Sequence, residues 1–138
     1  MPPLAIGECR SVEILARLLR NETGIRLEQG ATYDFTATGT WTDLHIDSSA
    51  DGYDPATLPF LTSLPLRIFG FARRVPGARW FALIGELPSG SKSHFAIGTS
   101  LRGWRAPVDG DLAAFANDVS SMYKNNKGSV TLTVCRRA

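Results

Sequence analysis

Two stretches of this chain alternate with a period of two, and that pattern limits what the chain can become. In "TYDFTATGTW", Tyr33, Phe35 and Ala37 alternate with Thr32, Asp34, Thr36 and Thr38. In "SVTLTVCRR", Val130, Leu132 and Val134 alternate with Thr131, Thr133 and Cys135. Successive side chains of a strand point to opposite faces, so each stretch describes a strand with one face buried. A sheet with one apolar face needs a second layer packed on it. "IRLEQG", "LPLRIFGFA" (Leu64, Leu66 and Ile68 on one face, Gly70 a bend) and "HFAIGTS" add further strands. "RWFALIGEL" is apolar throughout and predicts a strand buried on both faces. Pro76-Gly77, Ser89-Gly90, Asp109-Gly110 and Lys127-Gly128 punctuate the strands as turns. Many short strands between such turns predict a β-sandwich or barrel.

One segment is ambiguous. Val12, Leu15, Leu18 and Leu19 form a helical stripe in "SVEILARLLR", yet the run is short, and a strand over residues 11–16 is the expectation. Residues 43–63 form the longest irregular stretch, a length that is usually functional in a small domain.

A chain of 138 residues predicts one domain, residues 1–138. Its 43% apolar and 20% charged residues describe a folded globule rather than a disordered one. A net charge of +2 is too small to imply a nucleic-acid partner. No apolar run is long enough for a membrane span, and the first residues lack a signal-peptide pattern. The expectation is a cytoplasmic protein, or one exported without a visible signal. Cys9 and Cys135 lie near opposite ends, too few for a zinc site or a disulfide framework. They are expected close in space, and reduced in a cytoplasmic protein.

Recognisable catalytic motifs are missing: there is no GxSxG, HExxH or phosphate loop, and His45 and His94 are far apart. No enzyme is expected. Asp43, Asp47, Asp51 and Asp54 do not have the spacing of an EF-hand loop. "NDVSSMYKNNKGS", residues 117–129, is a better candidate, because Asp118, Asn125 and Asn126 are hard oxygen donors gathered between two strands. Ca²⁺ takes six to eight such oxygens, although "NNKG" also suits a plain hairpin turn.

The segment "PVDGDLAAFANDVSSMYKNNKGSVTLTV" resembles the C-terminal half of the LecA-type galactose-binding lectins, the PA-I galactophilic lectin family. The resemblance rests on Asn117, Asp118, Tyr123, Asn125, Asn126 and Gly128, with "EQGATYDFTATGTW" and "WFALIGELPSG" similar to upstream strands, and spans residues 11–136. It implies an all-β jelly-roll sandwich of two antiparallel sheets, of the galactose-binding-domain-like kind. It also implies one Ca²⁺ held by the side chains of Asp118, Asn125 and Asn126 and by the carbonyls of Met122 and Asp43. Sugar hydroxyls would complete the shell, next to Asp118, Val119 and Asn125.

This chain departs from the family in its long loop. The family's H-x-x-Q sugar contacts are missing, and "ADGYDP" stands there, with Asp51 and Tyr53. His45 and Tyr53 are candidate replacements, with loop surface and packing anchor as the other roles open to them. The expected function is a Ca²⁺-dependent, galactoside-like carbohydrate binder without catalysis, displayed on a homo-oligomer if single sites are weak. The alternative is a diverged jelly roll that has lost the sugar and serves as a structural or protein-interaction module.

Overall fold

The computed structural model describes residues 2–54 and 73–138. Among these residues ten strands follow in chain order: β1 (Cys9–Leu15), β2 (Asn21–Leu27), β3 (Thr32–Thr38), β4 (Trp41–Asp43), β5 (Ile46–Ser48), β6 (Leu83–Glu86), β7 (Phe95–Ala96), β8 (Ser100–Arg105), β9 (Gly110–Ala116) and β10 (Asn126–Arg136). They form two antiparallel sheets, one of six strands and one of four in the order β2-β9-β6-β7. This is the expected sandwich. The ambiguous segment is a strand, β1, because its partner β10 lies alongside it for seven residues.

β10 is the spine of the larger sheet. One edge pairs with β1, and the other pairs with β3 and then with β4. Thr38 faces Thr131 and Trp41 faces Gly128, so β4 continues the register of β3 past Gly39 and Thr40. Gly39 has φ +105°, and a Cβ there would come within 3.3 Å of the Ser129 carbonyl. A glycine at this joint lets the chain bend without leaving β10.

Between the sheets lie Tyr33, Phe35 and Trp41 from the larger sheet, and Ile25, Leu27, Leu83 and Leu112 from the smaller, all fully buried. Val130, Leu132 and Val134 face the same core, as their alternation requires. β6 is buried on both faces, as expected. Leu83 faces the core, while Ile84 packs outward on Phe115 of β9 beneath Val75 and Ala78. Asn117, at the end of β9, ties that covering segment down. Its side-chain amide donates to the carbonyls of Val75 (2.9 Å) and Arg79 (2.9 Å), and its oxygen accepts from the Val75 N–H (2.9 Å).

Two expectations are corrected. Cys9 and Cys135 are close, as direct partners across β1 and β10 with Cα atoms 4.0 Å apart, but they are joined in a disulfide rather than reduced. The reason is the register, since the antiparallel ladder places the two sulfurs face to face. The irregular stretch from residue 43 begins with a hairpin of β4 and β5, turned by Leu44 at φ 58° and His45. The strand expected around Leu64, Leu66 and Ile68 lies outside the described residues, as do residues 55–63 of the irregular stretch.

Candidate metal and ligand site

One end of the sandwich gathers the β1–β2, β4–β5 and β9–β10 loops. Asp118 directly follows β9, and Asn125 ends a 3₁₀ turn (Tyr123–Asn125) that leads into Asn126, the first residue of β10. Asp43, the last residue of β4, is the direct partner of Asn126. Directly opposed residues of a ladder share a face, with Cβ atoms about 5 Å apart. Asp43 and Asn126 therefore both point to the inner side, where Trp41 and Val130 also point. Leu44 fastens the junction, its N–H donating to the Asn125 carbonyl at 3.1 Å.

Asp118 and Asn126 are buried, each about 3% exposed. One Asp118 oxygen accepts the Val119 N–H at 2.7 Å, and the other, Oδ2, has no hydrogen-bond partner. Asn126 donates its amide to the Ala16 carbonyl at 3.0 Å, while its oxygen, Oδ1, is also without a partner. A buried acceptor left unmade costs about 1–3 kcal/mol, more when charged. Here two occur on neighbouring side chains, Asn126 acting on the ionisation of Asp118.

The electrostatics tell the same story. Burial, and then the charge of Asp43, push the Asp118 carboxyl up to about 6, against the Val119 N–H and the Asn126 side chain. Burial also raises Asp43, opposed by a hydrogen bond from Tyr53 and by the charge of nearby His45. The Tyr53 hydroxyl donates to Asp43 Oδ2 at 2.6 Å, and burial with the two carboxylates keeps it protonated. Tyr123 is buried below the loop, its hydroxyl donating to the Ala116 carbonyl and accepting from Arg74 Nη1 at 3.0 Å. Two acids thus face each other in a poorly hydrated pocket, the arrangement that a bound cation relieves.

The donor set suits a hard cation. Asp43, Asp118, Asn125 and Asn126 offer carboxylate and amide oxygens. The Met122 carbonyl, which accepts the Asn125 N–H at 3.3 Å, keeps a second lone pair. No cluster of three or more His, Cys, Asp or Glu suited to a metal occurs among the described residues. The oxygens present match Ca²⁺ rather than a metal that prefers nitrogen or sulfur.

The expected site residues fall into two groups. Asp43, Asp118 and Asn126 come together here, and Asn125 and Met122 adjoin them in the turn before β10, the Asn125 N–H donating to the Met122 carbonyl. Val119 holds Asp118 through its N–H and bridges to Arg73, and His45 stands exposed at the hairpin tip beside Asp43. The Asp43 carboxylate, left open in the sequence beside its carbonyl, lies on the same side as Asn126 and acts on Asp118. The sequence signal for this was the odd-number parity of Tyr33, Phe35, Ala37 and Trp41, which reaches Asp43 unbroken. Tyr53 is no open aromatic wall: it is 7% exposed, bridged to Trp80, and turned onto Asp43. Asp51 is tied to the β7–β8 turn, accepting the Thr99 N–H at 2.7 Å and pairing with its hydroxyl at 2.9 Å. Both its oxygens are thereby engaged away from Asp118.

No family model matches the chain, and no curated protein matches it. A solved structure described as "EclA N-terminal domain; PllA-like lectin" superimposes with a TM-score of 0.66 at 21% identity, over 91% of this chain and 94% of that one. The likeness is one of fold. It runs almost end to end, so it concerns the sandwich as a whole rather than one motif.

Proposed function

We propose that this protein is a calcium-dependent carbohydrate-binding protein without catalytic activity. The observation that carries the reading is the pair of partnerless buried oxygens, Asp118 Oδ2 and Asn126 Oδ1, in a pocket that also holds Asp43. The lectin named in the structural match supports the carbohydrate half. Asp118, Asn125, Asn126 and the Met122 carbonyl would hold the ion, with the Asp43 carboxylate in reach of the same pocket. Ca²⁺ supplies a positive centre whose remaining positions accept neighbouring hydroxyls of a sugar. Asp118 and Asn125 border those positions as hydrogen-bond acceptors, and Val119 keeps Asp118 in place.

Galactosides are the first ligands to try, with selectivity altered by the missing H-x-x-Q pair. His45 is the side chain left to act as the rim on the hairpin, since Tyr53 is enclosed. The Cys9–Cys135 bridge supports work in an oxidising compartment, where disulfides persist.

The test is a thermal melt with Ca²⁺ and with EDTA, followed by a glycan array under both conditions. Ca²⁺ should raise the melting temperature and be required for any glycan signal. Superimposable melts, with no heat of binding at millimolar Ca²⁺, would return "NNKG" to a plain turn and favour the non-binding jelly-roll alternative.

A further inference from the structure

The loop end that holds the pocket also carries most of the exposed apolar side chains. Among the described residues, six large hydrophobic residues are exposed: Ile6, Leu18, Leu19, Leu44, Val108 and Met122. Leu18 and Leu19 (40% and 50% exposed), Leu44 (56%) and Met122 (46%) lie on the three loops at this one end. Those loops are fastened side by side. Asn126 donates to the Ala16 carbonyl, Arg74 to that of Leu19, and Leu44 to that of Asn125. Leu44 is held outward at φ 58°, a left-handed conformation uncommon for a leucine. Exposed apolar side chains collected on adjoining loops mark an interaction surface.

The charges around them select the partner. Arg17 precedes Leu18 in the first loop, and Lys124 and Lys127 flank Asn125 and Asn126; all three are exposed and make no ion pair among the described residues. Of the acids at this end, Asp47 and Glu22 are also exposed, and the others are buried or half-buried. Asp118 is buried, Asp43 accepts from Tyr53, Asp47 accepts from Thr42, and Glu22 is paired with Arg20. Of these acids Asp47 alone is exposed without an ion pair among the described residues, against the three cations, so the rim is apolar with an excess of positive charge. Leucine and methionine side chains can enter the boundary between headgroups and acyl chains, while lysine and arginine are drawn to anionic headgroups.

We propose that this loop end docks on an anionic lipid surface, with Leu18, Leu19, Leu44 and Met122 as the inserted side chains and Arg17, Lys124 and Lys127 as the electrostatic contacts. The docking uses side chains around the pocket rather than the pocket itself, so it stands apart from the metal and sugar reading. Its geometry nonetheless turns the pocket toward the headgroup layer.

The experiment is co-sedimentation of the full chain with vesicles of phosphatidylcholine alone, or of phosphatidylcholine and phosphatidylglycerol in equal parts, without glycolipid and in EDTA. Binding to the mixed vesicles and little to the neutral ones is expected, falling as salt screens the charges. L18S/L19S and K124E/K127E should each weaken it by about tenfold or more, with melting temperatures unchanged because these side chains are exposed. M122S gives a third variant should either pair disturb the fold. No partition into mixed vesicles, or equal partition by L18S/L19S and M122S, overturns the proposal. So does light scattering that shows a wild-type dimer dissociated by L18S/L19S, which would make a second copy the occupant. Loss of the Ca²⁺ response in D118N with vesicle binding retained would separate the two sites and support the lipid one.

Discussion

Asp118 is the residue on which the candidate site turns. Its folded carboxyl sits at about 6, above the ordinary 3.8, because it is buried beside another acid. The sign follows from proton binding: between these values the folded state holds more protons than the unfolded one, so stability falls as pH rises. A shift of this size corresponds to roughly 3 kcal/mol withheld from the metal-free protein above pH 6. In EDTA the melting temperature should therefore fall between pH 4 and pH 7, apart from the other titrations. D118N should flatten that part of the profile and abolish the Ca²⁺-dependent rise in melting temperature. A D118N protein that still gains stability from Ca²⁺ would remove Asp118 from the ligand set. N126A should weaken the Ca²⁺ response and also destabilise the metal-free protein, by about 1 kcal/mol, through its lost bond to Ala16. Titration calorimetry and denaturant melts read the two effects separately. With two carboxylates in the pocket rather than one, Ca²⁺ affinity should be tighter than the roughly 10⁻⁴ M suited to Asp118 alone. D43N should loosen it toward that value.

At the level of elements, the pocket depends on the joint between β9 and the segment that covers the smaller sheet. Asn117 makes that joint. It is fully buried, holds both the N–H and the carbonyl of Val75, and accepts the Phe81 N–H on its own carbonyl at 2.8 Å. The next residue, Asp118, takes the Arg74 N–H at 3.0 Å. N117A should cost about 2–4 kcal/mol, the sum of several lost buried hydrogen bonds and the polar groups left behind. Hydrogen exchange should show protection lost first in residues 73–80, before the β1–β10 ladder. Uniform loss across both sheets would make Asn117 an ordinary core residue and not a clamp. "ND" was legible in the chain as part of a motif. That its asparagine points to a segment some forty residues earlier was not, since local spacing carries no information on which distant backbone lies over a strand end.

Across the whole molecule, the Cys9–Cys135 bridge closes a loop of 126 residues and locks the first strand to the last. A closed loop of this length constrains the unfolded chain strongly, and its reduction should cost about 2–5 kcal/mol. Reductant should lower the melting temperature, and C9S/C135S should match the reduced protein and no longer respond to reductant. Two reactive thiols in the unfolded, unreduced protein would show that the bridge does not form. The alternating stretches determined by themselves that this is an all-β chain with two buried faces, because the period of two is a property of each strand alone. The oxygen donors Asp118, Asn125 and Asn126 were equally readable, since they crowd one short loop. The parity that turns Asp43 inward was readable too, but only the tertiary structure decided that Asp43 lies opposite Asn126, that Tyr53 is enclosed, and that Leu18, Leu44 and Met122 stand at one end. Those facts depend on which strands pair and in what register. Register is settled by contacts between residues as much as 126 positions apart, and no local pattern in the sequence records them.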